Sequence, residues 1–404
     1  MTNLTRDTVL QRVPDLRVRI DSSNNIEIYM EGMKIRCGSY GLLILDAFYQ
    51  PTSLSEVLCK LQTGIRGVQD WMDLMTTIVH LYEAGVLQDE SQNRPTFRID
   101  ASGFDAAPIH VTMLNDRART SSFLKGIREV VRAGDIVVDI GTGTGILAIA
   151  AARAGAQHVY AIEASGIGKS AKAIFEANGL ADRITIIEGW STQVSLPEPA
   201  DVLISEIIGN EPLGERVLET TMDAIKRLLK PNARLVPNKV KIFGLPVTIP
   251  LVELMKYTFI GENLQNWKSW YSIDFSPLID ITRNSSQTFF INPSLASDWK
   301  TLNEPVLLAD VDFKNVSQLT IDNTISVTAN VSGQLNGVLI YFELELGPAT
   351  QLSTHPGKTD KDCSWHSPVW ILNDPLILQT GERFIVTYKY RVKEDQFRLS
   401  VGRI

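Results

Sequence analysis

The stretch Asp135-Ile-Val-Val-Asp139-Ile140-Gly141-Thr-Gly143-Thr-Gly145 constrains this chain more than any other. A short apolar run reads as a buried strand, and it breaks at three closely spaced glycines before the helical pattern of residues 146–154. Glycine suits such a strand-to-helix turn because the backbone takes positive φ and a ligand can approach where no Cβ intervenes. A second apolar run, Val159-Tyr160-Ala161-Ile162-Glu163, ends in a carboxylate able to accept hydrogen bonds from both hydroxyls of a ribose. Strand and helix patterns alternate from Ile136 to about Leu235, which implies a parallel, doubly wound sheet.

The glycine spacing separates two ligand classes. A dinucleotide dehydrogenase uses a similar turn with its third glycine one place later, where this chain has Ile146. S-adenosylmethionine has no pyrophosphate to cradle, so the loop need only pass beneath its amino-acid moiety, and Asp139 before the glycines suits an ammonium group. Strand, glycine turn and acidic second strand therefore point to an S-adenosylmethionine site contributed by Asp139, Gly141, Gly143, Gly145 and Glu163. The competing reading is a degenerate scaffold that binds nothing.

The segment Ser205-Glu206-Ile-Ile-Gly209-Asn-Glu-Pro-Leu-Gly-Glu215 resembles the double-glutamate loop of the protein arginine N-methyltransferases. The resemblance extends to His110-Val-Thr-Met113-Leu-Asn-Asp-Arg-Ala-Arg119-Thr120, to the glycine loop and to Leu228–Pro237, and more loosely through the rest of residues 100–404. It implies that Arg119 pairs with the cofactor carboxylate, that Met113 lies near its sulfonium, that Glu163 holds the ribose, and that Glu206 and Glu215 grip the substrate. Chemistry gives an independent reason for two carboxylates. A guanidinium stays charged and presents a planar fork of donors that carboxylates clamp bidentately. The clamp fixes its orientation and draws positive charge toward the bound nitrogens, leaving the remaining terminal nitrogen better able to attack a methyl group in line.

The chain also departs from that family. Only Phe104 stands where the family has paired aromatic motifs, and Ser191 or Thr192 stands where its adenine-contacting glutamate would lie. In Cys363-Ser364-Trp365-His366-Ser367-Pro368 the family's Thr-His-Trp loop keeps Trp365, but Ser364 takes the histidine position, so the imidazole is missing or displaced to His366 or His355. Trp365 and Ser364 complete the expected catalytic set with Glu206 and Glu215. Trp267, Trp270, Tyr271 and Phe275 lie in a segment resembling the family's dimerisation arm, which implies a homodimer.

Upstream, Leu16–Ile20 and Ile26–Met30 alternate apolar and polar around a turn at Asp21–Asn25, like a small hairpin. Helical patterns follow at about Tyr40–Tyr49, Leu54–Leu61 and Gln69–Ala84, the second announced by the capping box Ser53-x-x-Glu56 and the third ended by Gly85. Residues 10–92 read as a small winged-helix-like module that resembles the PqqD-like recognition domains of ribosomal-peptide maturation. The resemblance implies docking of a leader peptide by strand addition. The domain expectation is 1–92 for peptide recognition, 93–238 for a Rossmann-like cofactor domain entered by a linker at Asn93–Ala107, and 239–404 for a β-barrel-like domain of short β-rich runs such as Ile325–Val331, Val338–Leu346 and Arg383–Tyr390.

A net charge of −7 and a pI near 5.4 argue against a broad nucleic-acid surface, which would need clustered Lys and Arg. No apolar run approaches the length of a membrane span, and Cys37, Cys59 and Cys363 are too few and scattered for a disulfide framework or zinc cluster. The expectation is a cytoplasmic enzyme without a metal that methylates arginine in a ribosomally made precursor peptide. The alternatives are a different acceptor, such as a small-molecule amine or amide, and a non-catalytic scaffold.

Overall fold

The computed structural model describes residues 4–13, 16–20, 26–30, 33–38, 40–62, 65, 67–89, 107–259, 261–279, 287–391 and 396–404. The chain divides into two compact units, 1–100 and 101–404. The turn expected at 21–25, residues 93–106 of the linker expected at 93–107, and Phe104 lie outside the described residues, and Ala107 opens a helix.

In the first unit the expected hairpin is joined by a further strand. Arg17–Ile20, Ile26–Met30 and Met33–Cys37 form an antiparallel meander in which Ile28 stands opposite Val18 and Ile35. A second small sheet places Val9–Arg12 between Thr52–Ser53 and Leu87–Gln88. The helices run over Gly41–Ala47, Leu54–Leu61 and Val68–Glu83. Ser53 caps the second one by accepting the Glu56 N–H at 3.3 Å. Leu74, Ile78 and Leu81, at helical spacing, form with Ile44, Phe48 and Val57 a separate core of fully buried side chains.

The second unit begins with helices Ala107–Asn115 and Arg117–Val130. Five parallel strands follow, in the spatial order Leu229–Val236, Ala200–Ser205, Ile136–Ile140, His158–Glu163 and Ile184–Glu188. All five residues of Ile136–Ile140 are buried, as a central parallel strand covered on both faces requires. Helices Ile146–Arg153, Gly168–Ala177 and Val217–Arg227 connect the strands.

Beyond Val236 the fold becomes antiparallel and barrel-like. Lys239–Thr248 pairs with Gly333–Gly347 and Val306–Asp312, Gly333–Gly347 pairs with Ser367–Leu378, and Gln287–Ile291 closes the edge. Thr320–Thr328, Arg383–Arg391 and Gln396–Arg403 make a second sheet. Helix Arg117–Val130 is lashed to this β domain. A Cβ on Gly126 would stand 2.5 Å from the Leu346 carbonyl oxygen, so only glycine allows the approach. Three residues on, Glu129 accepts hydrogen bonds from the Ala349 N–H at 2.9 Å and the Thr350 hydroxyl at 2.6 Å.

Helices Leu251–Tyr257 and Gly261–Tyr271 project between strands of the β domain in sequence. Trp267 packs edge-on against Phe259 and Phe275, whereas Trp270 and Tyr271 are exposed. No helix among the described residues is long and apolar enough to cross a membrane.

Candidate active site

The glycine turn takes the shape its sequence requires. Gly141, Gly143 and Gly145 have φ of 73°, 55° and 83°, and a Cβ on Gly145 would stand 2.3 Å from the Phe175 ring. The carboxylate ending the next strand closes over this turn. Glu163 accepts the Gly143 N–H through one oxygen at 2.8 Å, and the Ser165 N–H and hydroxyl through the other, also at 2.8 Å. Asp139 is fully buried. Its Oδ2 accepts the Thr142 hydroxyl at 2.6 Å, its Oδ1 has no hydrogen-bond partner, and burial pushes its carboxyl up to about 7.

Above the turn lies a cleft of ≈ 450 Å³, partly open to solvent, whose lining includes Met113, Arg119, Gly141, Gly143, Ile146 and Glu206. Asp139 and Glu163 stand directly behind it, each hydrogen-bonded to a lining residue. Ser191 and Thr192 are not among the lining residues. They lie on the turn after Ile184–Glu188, where the Ser191 carbonyl accepts a hydrogen bond from Arg227 at 2.7 Å.

Arg119 organises the opposite wall. Its Nη2 donates to Glu206 Oε2 in an ion pair, with the two side chains only 9% and 6% exposed. The guanidinium carbon lies 5.3 Å from the centre of the Trp365 ring, and the Trp365 indole N–H donates to the Ile208 carbonyl at 2.6 Å. Burial lowers the Arg119 guanidinium to about 10, against the opposing pull of Asp116, so it remains a cation at neutral pH. The resemblance implied a cofactor carboxylate as the partner of Arg119; here Glu206 fills that place.

Asp116, to which the sequence reading gave no role, joins these elements. Its Oδ1 caps helix Arg117–Val130 by accepting the Arg119 N–H at 2.9 Å. Its Oδ2 accepts the Ser364 N–H at 2.8 Å and the Ser364 hydroxyl at 2.9 Å. An aspartate just before a helical run was the available signal, since it reads as an N-cap. The two alternative imidazoles have other surroundings. His355 accepts the Gly357 N–H at 3.0 Å and packs edge-on against Tyr341, while the exposed His366 offers its backbone N–H to Asn210 Oδ1 at 2.7 Å.

The loop carrying the glutamates turns tightly. Gly214 N–H donates to the Glu211 carbonyl at 2.8 Å across a turn with Pro212 at its second position. Glu215 and Arg216 then take φ of 58° and 60°, a left-handed conformation uncommon outside glycine. Glu215 is exposed as a residue, but its carboxylate folds back to within 2.9 Å of where a Cβ on Gly209 would stand. Partial burial there pushes it up to about 7.

A parallel sheet with a glycine turn, an acid ending the neighbouring strand and a cleft at the strands' carboxyl ends defines the methyltransferase type of Rossmann-like fold. Residues 116–238 match the family model described as ribosomal protein L11 methyltransferase (PrmA), and residues 248–400 match the arginine methyltransferase oligomerization subdomain. Protein arginine N-methyltransferase 6 of Danio rerio is 30% identical over 280 residues, covering 66% of this chain and 76% of that protein. The probable protein arginine N-methyltransferase 6 of Arabidopsis thaliana is 31% identical over 284 residues, 67% of this chain and 62% of its own length. The chain belongs to the protein arginine N-methyltransferase family. It spans between half and two thirds of the length of plant relatives that it matches. The fold is also that of the Trypanosoma brucei PRMT1 enzyme–prozyme heterotetramer with AdoHcy, with a TM-score of 0.63 over 75% of this chain and all of that one at 23% identity.

Proposed function

We propose that this protein transfers a methyl group from S-adenosylmethionine to a guanidinium nitrogen of arginine in a peptide or protein. One observation carries the reading: Glu206, buried at the mouth of the cleft, already holds a guanidinium, that of Arg119. The donor set suits the cofactor. Asp139 Oδ1, buried and unpartnered, faces the need of an ammonium group; Arg119 offers a cation to a carboxylate; Glu163 offers acceptors to ribose hydroxyls; the glycine turn leaves room for the amino-acid moiety. Bound there, S-adenosylmethionine supplies an electrophilic methyl group.

The chain's own residues orient the acceptor and manage one proton. Glu206 and Glu215 hold the arginine so that its free terminal nitrogen points at the methyl group. As the N–C bond forms that nitrogen sheds a proton, because the methylated guanidinium keeps a single positive charge. Glu215, held near 7, is suited to take it. Ser364, bound to Asp116, leaves no imidazole at its position for this task. The test is mass-spectrometric mapping of label from S-adenosylmethionine after incubation with short peptides encoded beside the gene. A methyl group on arginine supports the proposal, and transfer to another group or to none refutes it.

A second element of the reading is that residues 1–92 capture the leader of a ribosomally made precursor. Arg17–Ile20 is an outer strand of its sheet, with Val18 and Ile20 largely exposed, a surface suited to strand addition. The exposed Trp270 and Tyr271 support a homodimer built through the helical arm.

A further inference from the structure

The glutamate loop contains a third carboxylate, Glu211, that the clamp does not use. Its Oε2 is buried and makes no hydrogen bond of good geometry, and the same holds for two atoms of the β domain, Trp370 Nε1 and Tyr388 Oη. Trp370 is 6% exposed and Tyr388 fully buried. Glu211 lies within reach of both: the Trp370 N–H points to it as a hydrogen-bond donor and favours its charged form, and a charge on Glu211 raises Tyr388. Buried polar atoms without well-formed hydrogen bonds are rare and costly, so a buried carboxyl that faces an indole N–H and a phenol calls for an explanation. Glu211 also opens the turn whose closing Gly214 N–H it accepts, directly before the left-handed pair Glu215 and Arg216.

We propose that Glu211 is a positioning residue, which anchors the turn 211–214 in the β domain against Trp370 and Tyr388 and thereby presents Glu215 to the acceptor guanidinium. The inference rests on the proposed role of Glu215. A left-handed glutamate persists only where surrounding structure over-determines it, and the buried Glu211 side chain supplies that constraint from the near end of the turn. Burial pushes the Glu211 carboxyl up to about 8, so it is a neutral acid at pH 7, able both to donate to and accept from its neighbours. Tyr388, with Tyr390 beside it, is the titratable group facing it, and its own raised pKa keeps it neutral over the same range.

The test compares wild type with E211Q, E211D and E211A on a short synthetic peptide bearing one central arginine, with S-adenosylhomocysteine affinity measured by calorimetry. E211A is expected to raise KM for the peptide on the order of 10- to 100-fold. The affinity for S-adenosylhomocysteine should stay within about twofold. E211Q, a neutral isostere, should rescue KM, and E211D, with a shorter reach, should fall between. Wild-type kinetics in E211A, or E211Q as impaired as E211A, overturns the proposal; if E211A does not fold, E211D carries the comparison. Melting temperatures give an arm independent of activity. Because the folded state holds the proton more tightly than the unfolded chain, wild type loses stability as pH rises from about 4.3 through about 8. E211Q should therefore melt above wild type at pH 8.5 and close to level with it at pH 4, and equal melting at both refutes the neutral anchor. A wild type that leaves the peptide unmethylated defeats the proposed function, while the melting arm still decides the anchor.

Discussion

Arg119 and Glu206 lie 87 positions apart in the chain and form an ion pair that excludes nearly all solvent from both side chains. One comes from the first turn of helix Arg117–Val130, the other from the loop after strand Ala200–Ser205. Removing one partner of a buried pair leaves an uncompensated charge, which costs more than the pair itself contributes. Glu206 is thus committed to a guanidinium of the protein itself.

That commitment predicts coupling between cofactor and substrate. With a cofactor carboxylate present, Arg119 can exchange partners and free Glu206 for the acceptor. Peptide affinity should then rise roughly 5- to 150-fold in saturating S-adenosylhomocysteine, and the peptide should tighten S-adenosylhomocysteine by the same factor, as linkage requires. Titration calorimetry in both orders measures it. Equal peptide affinity with and without S-adenosylhomocysteine would show that Arg119 does not hold Glu206 back.

Glu215 predicts a pH dependence of opposite sign for rate and for stability. With its folded value near 7 against about 4.3 in an unfolded chain, its stabilising contribution is complete below about 4.3 and is lost as pH rises through 7. The proposed mechanism uses the charged form as clamp and proton acceptor, so kcat should climb over the same interval and level off near pH 8. E215Q should lower kcat by about 100-fold or more and flatten the profile. A profile unchanged in shape by E215Q would remove Glu215 from the chemistry.

The parts of the site legible in the sequence are those in which structure and chemistry are local. Gly141 to Gly145 and Glu163 sit on one strand–helix–strand unit, and the spacing of its turn is set by steric limits visible in the residue types. Glu206 and Glu215 stand on one loop, so the family resemblance can pair them from the sequence alone. The Asp116–Ser364 contact spans 248 positions, and no pattern in either segment names the other. The strand Met33–Cys37 was missed although Met33, Ile35 and Cys37 alternate with Lys34 and Arg36, because so short a run takes its meaning from the strand beside it. Glu211 gave no signal at all: a glutamate in a polar turn reads as solvated until Trp370 and Tyr388 are brought over it.

Asp116 should matter to both stability and geometry. D116A removes a helix cap, worth about 1 kcal/mol, and two hydrogen bonds to Ser364 that a charged acceptor strengthens, each about 1.5–3 kcal/mol. S364A keeps the backbone hydrogen bond and loses only the hydroxyl's. Melting temperature should thus fall far more in D116A than in S364A. A larger fall in S364A would mean that the serine is held by something other than Asp116.

The first unit supplies a prediction about substrate choice. It has its own core around Ile28, Phe48, Leu74 and Leu81, and the proposal that it docks a leader peptide is tested by substrate choice. A docked leader raises the local concentration of the attached arginine, so the advantage is confined to substrates that carry the leader. Removing residues 1–92 should raise KM for a full precursor by 10²- to 10⁴-fold while leaving a short core peptide nearly unaffected. Steady-state kinetics on both substrates makes the comparison. Equal losses on the two would assign the first unit to the stability of the rest of the chain, and loss on the short peptide alone would contradict tethering outright.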